Sequence, residues 1–169
     1  MARHGTYERA NPPGARVARW RCPPGHCTFS LLPDCLAARL PGTLAEVEQV
    51  VRAVEQAPSL ESAADGLRPD IELPGAVRWT RRRVRAVHRA LSALRGLYPQ
   101  TFAWVPATLS AFGEALGVEA VLVTLRAMAA PFLHGLPAPL GLCPRGDAGG
   151  EPTLAHQHST GPDPPDRPG

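Results

Sequence analysis

From Thr43 onward the apolar positions of the chain recur every three or four residues, the spacing of helices that bury one side. Thr43-Leu44-Ala45-Glu46 has the form of a capping box, in which hydroxyl and carboxylate take up the first free amides of a helix. Leu44, Val47, Val51 and Val54 then share a face up to Ala57, and Pro58 ends it. Ser59 can cap a second, short helix from Leu60 to about Leu67, with Leu60, Ala63, Ala64 and Leu67 inward. After R-P-D-I-E-L, Pro74 at a first-turn position opens a long helix that runs to Tyr98. Leu73, Ala76, Val77, Thr80, Val84, Val87, Leu91, Leu94 and Tyr98 form its apolar stripe. Gly96 and Pro99 close it. The connection T-F-A-W-V-P that follows is expected to anchor Phe102 and Trp104 in the core. Two further helices are predicted, about 107–116 ending at Gly117 and about 118–130 stopped by Pro131, the second with Val121, Leu122, Leu125 and Met128 inward.

Before Thr43 the period is different. Residues Thr6 to Pro33 alternate small or apolar residues with arginine in A-R-V-A-R-W-R-C, turn at N-P-P-G, and continue in the β-rich C-T-F-S-L-L, which predicts a two- or three-stranded hairpin. At its tip, Cys22-Pro23-Pro24-Gly25-His26-Cys27 brings thiol and imidazole groups together as a zinc knuckle does. Cys22, His26 and Cys27 are the candidate metal ligands, zinc the candidate cofactor, His4 the one upstream donor and Cys35 a downstream one. At the other end, past His134, Pro, Gly and polar residues dominate down to S-T-G-P-D-P-P-D-R-P-G; a disordered tail is expected there, His156 and His158 with it.

Charge sharpens the picture at one place. The chain of 169 residues has a formal net charge of only +3. All 18 of its basic side chains are Arg, so composition by itself says little. Distribution says more, because no acidic residue lies between Glu72 and Glu114. The seven arginines Arg78, Arg81, Arg82, Arg83, Arg85, Arg89 and Arg95 therefore have no carboxylate along their own helix to pair with. Arg78, Arg82, Arg85 and Arg89, spaced four, three and four, fall opposite the apolar stripe. A basic stripe of this kind is the footprint of a nucleic-acid contact. The four ladder arginines are expected at phosphates, with Arg81 or Trp79 nearer the bases of double-stranded DNA. Four neutralised phosphates give a slope of about −3.6 in log K against log salt. The chain has no apolar run long enough to span a membrane, and M-A-R-H-G-T-Y-E-R lacks the apolar core of a secretion signal, so a cytoplasmic location is expected. The acids lie scattered on a capping turn, a helix, loops and the far C-terminal stretch, with no pairing suited to metal-assisted phosphoryl transfer, and no catalysis is expected.

Trp20 to Asp34, W-R-C-P-P-G-H-C-T-F-S-L-L-P-D, resembles the segment Y-R-C-x-x-C-G-x-T-F-S-x-L-P-D of transposase-associated zinc-ribbon proteins of bacterial insertion sequences, in which a ribbon precedes a helix-turn-helix. A-V-R-W-T-R-R, Ala76 to Arg82, is similar to the start of the recognition helix in that family, and the late P-L-G-L and T-G-P-D-P-P pieces resemble its short members. On this likeness Cys22 matches the first Cys of the second knuckle, whereas the family's next Cys falls on Gly25, with His26 one place later; the first C-x-x-C knuckle is absent. The resemblance implies the DNA-recognition part of a mobile-element protein.

The expected fold is mainly α: a small, degenerate zinc-ribbon-like β-ribbon at 1–36, a helix-turn-helix at 43–98 with the basic helix last, a helical hairpin at 99–133 and the tail at 134–169. A different reading takes the apolar hairpin as a protein-interaction or homodimer face through Val118 to Ala130, with the arginines meeting an acidic protein. A third takes the chain as a truncated relic of a mobile-element protein.

Overall fold

The structure, a computed structural model, describes residues 2–24 and 26–142. The sequence beyond 142, including His156 and His158, lies outside them. Strands β1 (Ala2–Glu8), β2 (Arg16–Cys22) and β3 (Cys27–Leu31) form one antiparallel meander in the order β1-β2-β3. Six helices follow: α1 (Leu44–Gln56), α2 (Leu60–Leu67), α3 (Leu73–Leu97), α4 (Pro99–Phe102), α5 (Leu109–Leu116) and α6 (Val121–Met128), with one 3-10 turn at Ala130–Phe132. The chain is thus mainly helical with a small three-stranded sheet.

Local chemistry fixes the helix starts. The Thr43 hydroxyl accepts from Glu46 N–H (3.1 Å) while the Glu46 carboxylate accepts from Thr43 N–H (2.8 Å), which completes the capping box of α1. Ser59 caps α2 and Thr108 caps α5 by the same kind of bond. The α6 N-cap position is Ala120, which has no side-chain oxygen to offer the first amides. Its role is taken from a distance: the carboxylate of Glu48, on the buried side of α1, accepts from the N–H groups of Val121 (3.1 Å) and Leu122 (2.9 Å). Two turns on, Glu55 accepts from Leu109 N–H (2.7 Å), Ser110 N–H (3.0 Å) and the Ser110 hydroxyl at the start of α5. One helix therefore caps two others, and negative charge sits where their dipoles are positive.

The core lies between α1, the second half of α3, and α5 and α6. Leu44, Val47 and Val51 meet Val87, Leu91 and Leu94, with Phe112, Leu122 and Leu125 closing the other side. Phe102 is fully buried, its ring stacked on Phe112 at 4.6 Å between centroids. α2 packs on α3 through Ala63 and Ala64, whose small side chains permit close approach. The segment between β3 and α1 joins ribbon to bundle. Leu36, Ala37, Ala38 and Leu40 are buried in it, and Arg9 of the ribbon donates to the carbonyls of Ala37 (3.2 Å) and Leu40 (2.8 Å).

Two sequence-based expectations are corrected here, and a third is narrowed. Trp104 is not a core anchor: it is 96 % exposed, because the bend after α4 turns Phe102 inward and the residue two places on outward. The hairpin's inward residues Leu122 and Leu125 are fully buried within the chain's own core, so an interface through Val118 to Ala130 would use the exposed positions of that segment, such as Val123. Of the stretch assigned to a tail from 134, residues 134–142 are ordered on the core. Leu136 and Leu140 fill its edge, and Ala38 N–H donates to Pro139 C=O (2.8 Å). Leu142 N–H also donates to Leu133 C=O (2.8 Å), and Arg39 to Leu142 C=O (3.1 Å).

Candidate nucleic-acid interface

α3 is 25 residues long, and its sides are divided as the period requires. Ala76, Thr80, Val87, Ala90, Leu91 and Leu94 are buried, while Arg78, Arg81, Arg82, Arg85 and Arg89 are all exposed. At 1.5 Å per residue this line of five guanidinium groups extends about 16 Å. Among the described residues none of the five is in a salt bridge; the three ion pairs found there are Arg52–Glu48, Arg68–Asp70 and Arg126–Asp34. His88, beside the line, is half-buried.

The other two arginines of the acid-free stretch do not belong to this face. Arg83 is only 6 % exposed; its guanidinium lies 3.7 Å from the centroid of the Trp79 ring, one turn back, and donates to the Trp79 carbonyl (3.3 Å). Burial, with Arg82 and Arg68 nearby, pushes its pKa down to about 10, and the charge of Glu46 opposes that shift. Arg68, from the end of α2, lies over the same ring at 5.1 Å while bonded through two nitrogens to Asp70. That bond raises the Arg68 pKa and lowers that of Asp70. Trp79, read from the sequence as near the bases, is thus a half-buried plate carrying two cations, and it fastens α2 to α3. Arg95 faces the other way and donates to Ala103 C=O (2.9 Å).

Acidic groups frame the face without covering it. Glu61 and Asp65 are exposed on α2, and Asp70 and Glu72 lie just before α3. They mark where a polyanion is repelled. A pose that laid α2 along a phosphate backbone would set Glu61 and Asp65 against like charge.

The ribbon carries a second group of cations that the ladder argument left aside. On β2, Arg16, Arg19 and Arg21 are exposed and Val17 is fully buried. The alternation R-V-A-R-W-R was the available signal for them. At the tip, Cys22 and Cys27 are cross-strand partners, and His26 stands exposed between them with φ +48°. His4 lies at the irregularity of β1 between Arg3 and Gly5, whereas Cys35 lies beyond the far end of β3, where its carbonyl accepts from Leu44 N–H (2.8 Å). Among the described residues no three His, Cys, Asp or Glu side chains are gathered as a bound metal requires. Cys35 is carried away from the tip by the length of β3 itself.

Arg126 was not singled out in the sequence. It is 3 % exposed on α6, donates to Leu36 C=O (2.7 Å) and stands 3.7 Å from Asp34; burial lowers its pKa and the Asp34 charge works against that. It ties the ribbon's exit to the bundle, so its charge belongs to the fold. Among the described residues, no helix is long and apolar enough to cross a membrane. The chain matches no protein-family model, no curated protein and no solved structure.

Proposed function

We propose that this protein binds double-stranded DNA through the exposed face of α3 and is a non-catalytic recognition module of the kind that the insertion-sequence resemblance implies. The observation that carries the reading is the line Arg78, Arg81, Arg82, Arg85 and Arg89, five exposed guanidinium groups on one helix with no carboxylate bonded to any of them among the described residues. A B-form major groove about 12 Å wide admits a helix, and the narrow groove of duplex RNA does not, which favours DNA as the partner. α1, α2 and α3 serve as the helix-turn-helix unit, with α3 presented and α2 held behind it by Trp79. The ladder arginines meet phosphates. With Trp79 engaged inside the fold, Arg81 becomes the candidate for reading a base edge.

The test is fluorescence anisotropy of the whole chain on a labelled mixed-sequence duplex at several salt concentrations. Tight binding at low salt, lost in Arg82→Glu/Arg85→Glu at unchanged thermal stability, is the expected result. Binding that survives this double substitution, or no binding by the parent chain at low salt, would refute it.

A further inference from the structure

The ribbon is built to reach past the bundle, and its two sides differ in charge chemistry. Side chains two apart on β2 share a face, so Val17, Arg19 and Arg21 project together. Val17 is 0 % exposed, and its cross-strand partner Tyr7 lines an open groove of about 400 Å³ with Leu40 and Pro41 of the joining segment. This face therefore turns toward the bundle at its base. Arg19 and Arg21 continue it outward, Arg21 about 13 Å further along the strand at 3.3 Å per residue, and both are exposed. The partners of Arg19 are Gly5 on β1 and Ser30 on β3, neither of them charged, and its guanidinium lies over the Tyr7 ring at 5.7 Å. The other side of β2 is different. Arg16 is paired across the ladder with Glu8, the only acid in the three strands, and donates to the Thr6 hydroxyl (3.3 Å).

The ribbon's base also adjoins the start of α1, which packs on α3. Gly42 N–H, two residues before α1, donates to Asn11 C=O (3.3 Å) in the turn between β1 and β2. Both arginine-bearing elements thus adjoin α1. Charge in the remainder of the chain has the opposite sign: from Asp34 to Glu72 eight acids face three arginines.

We propose that the ribbon is a second arm that grips the same DNA duplex, with Arg19 and Arg21 on a phosphate strand adjoining the groove that α3 occupies. This rests on the reading of α3 as a duplex-binding helix. A polyanion is the occupant that two elements of like charge, separated by acidic surface, can share.

The experiment is the salt dependence of duplex binding by the whole chain and its variants. Six phosphates neutralised, four by the ladder arginines of α3 and two by the ribbon, give a slope of about −5.4, and Arg19→Ser/Arg21→Ser should reduce it to about −3.6 with unchanged thermal melting. Arg19→Lys/Arg21→Lys should keep the parent slope, and Arg16→Ser should leave it unaltered. A parent-like slope in Arg19→Ser/Arg21→Ser, with binding still lost in Arg82→Glu/Arg85→Glu, would overturn the ribbon proposal and leave the α3 reading standing. Absence of binding by the parent chain would overturn both.

Discussion

Residues of one type have different fates along α3, and burial separates them. Arg82 and Arg83 are neighbours in sequence, yet one is exposed and the other nearly enclosed against Trp79. For Arg83 the sign of the linkage is clear: its folded pKa is depressed, so the unfolded chain holds the proton more firmly. The destabilisation is therefore complete at neutral pH and is relieved only as pH rises through about 10. Replacing the charge by an apolar chain of similar length removes that penalty together with the ring contact, two effects of about 1–2 kcal/mol that oppose one another. Arg83→Met is accordingly expected to shift the midpoint of urea unfolding at pH 7 by less than about 1 kcal/mol equivalent. A loss of 3 kcal/mol or more would mean that the cation itself holds α2 to α3. Trp104 presents the reverse case, since a side chain 96 % exposed has no packing to lose. Trp104→Ala should leave thermal stability unchanged while removing the most solvent-quenchable of the three tryptophan signals.

At the scale of elements, the helices were legible because their signals are local. Capping residues at Thr43 and Ser59, Pro74 in a first turn and the 3.6-residue stripe locate α1, α2 and α3 to within a residue. The later helices are shorter than their predicted spans, α6 beginning at Val121 rather than 118, because nothing local caps it. Glu48 does so from 73 positions away, a contact that no spacing rule within one segment can reveal. In hindsight two signs pointed there: a glutamate adjoining Val47 on the inward side of α1, and a helix start without a capping side chain. The energetic consequence differs between the two caps. Glu48 is buried and also takes two bonds from Arg52, so Glu48→Ala leaves two helix-start amides without acceptors and a partly buried guanidinium without its carboxylate, bonded only to the Glu119 carbonyl (2.6 Å); a loss of about 3–5 kcal/mol in chemical denaturation is expected. Glu55 is half-buried and Thr108 still caps α5 in its absence, so Glu55→Ala should cost about 1 kcal/mol. Equal effects of the two substitutions would contradict this assignment.

Across the whole molecule, the design is a segregation of charge upon an ordinary apolar core. The arginine face of α3 could be read in the sequence because α3 is a single continuous element and its acid-free stretch is contiguous. Other features required tertiary placement: that Arg83 and Arg95 leave the face, that Trp79 is engaged, and that Leu136 and Leu140 return to the core. Each depends on a residue distant in the chain, or on which side of a helix its neighbour packs. The framing acids make a further prediction at this scale. If DNA approaches α3 on the side away from α2, Glu61→Lys/Asp65→Lys should strengthen duplex binding by less than about threefold; a gain of tenfold or more would place α2 on the backbone instead.

The most direct measurement is a two-dimensional NMR titration of the isotope-labelled chain with a short mixed-sequence DNA duplex, following the backbone amides and the arginine side-chain Nε–H signals. The account predicts that Arg78, Arg81, Arg82, Arg85 and Arg89 shift together and saturably, while Arg52, Arg95 and Arg126 stay in place. Shifts confined to α5 and α6 or to the surroundings of Trp104, with the α3 arginines unmoved, would contradict it.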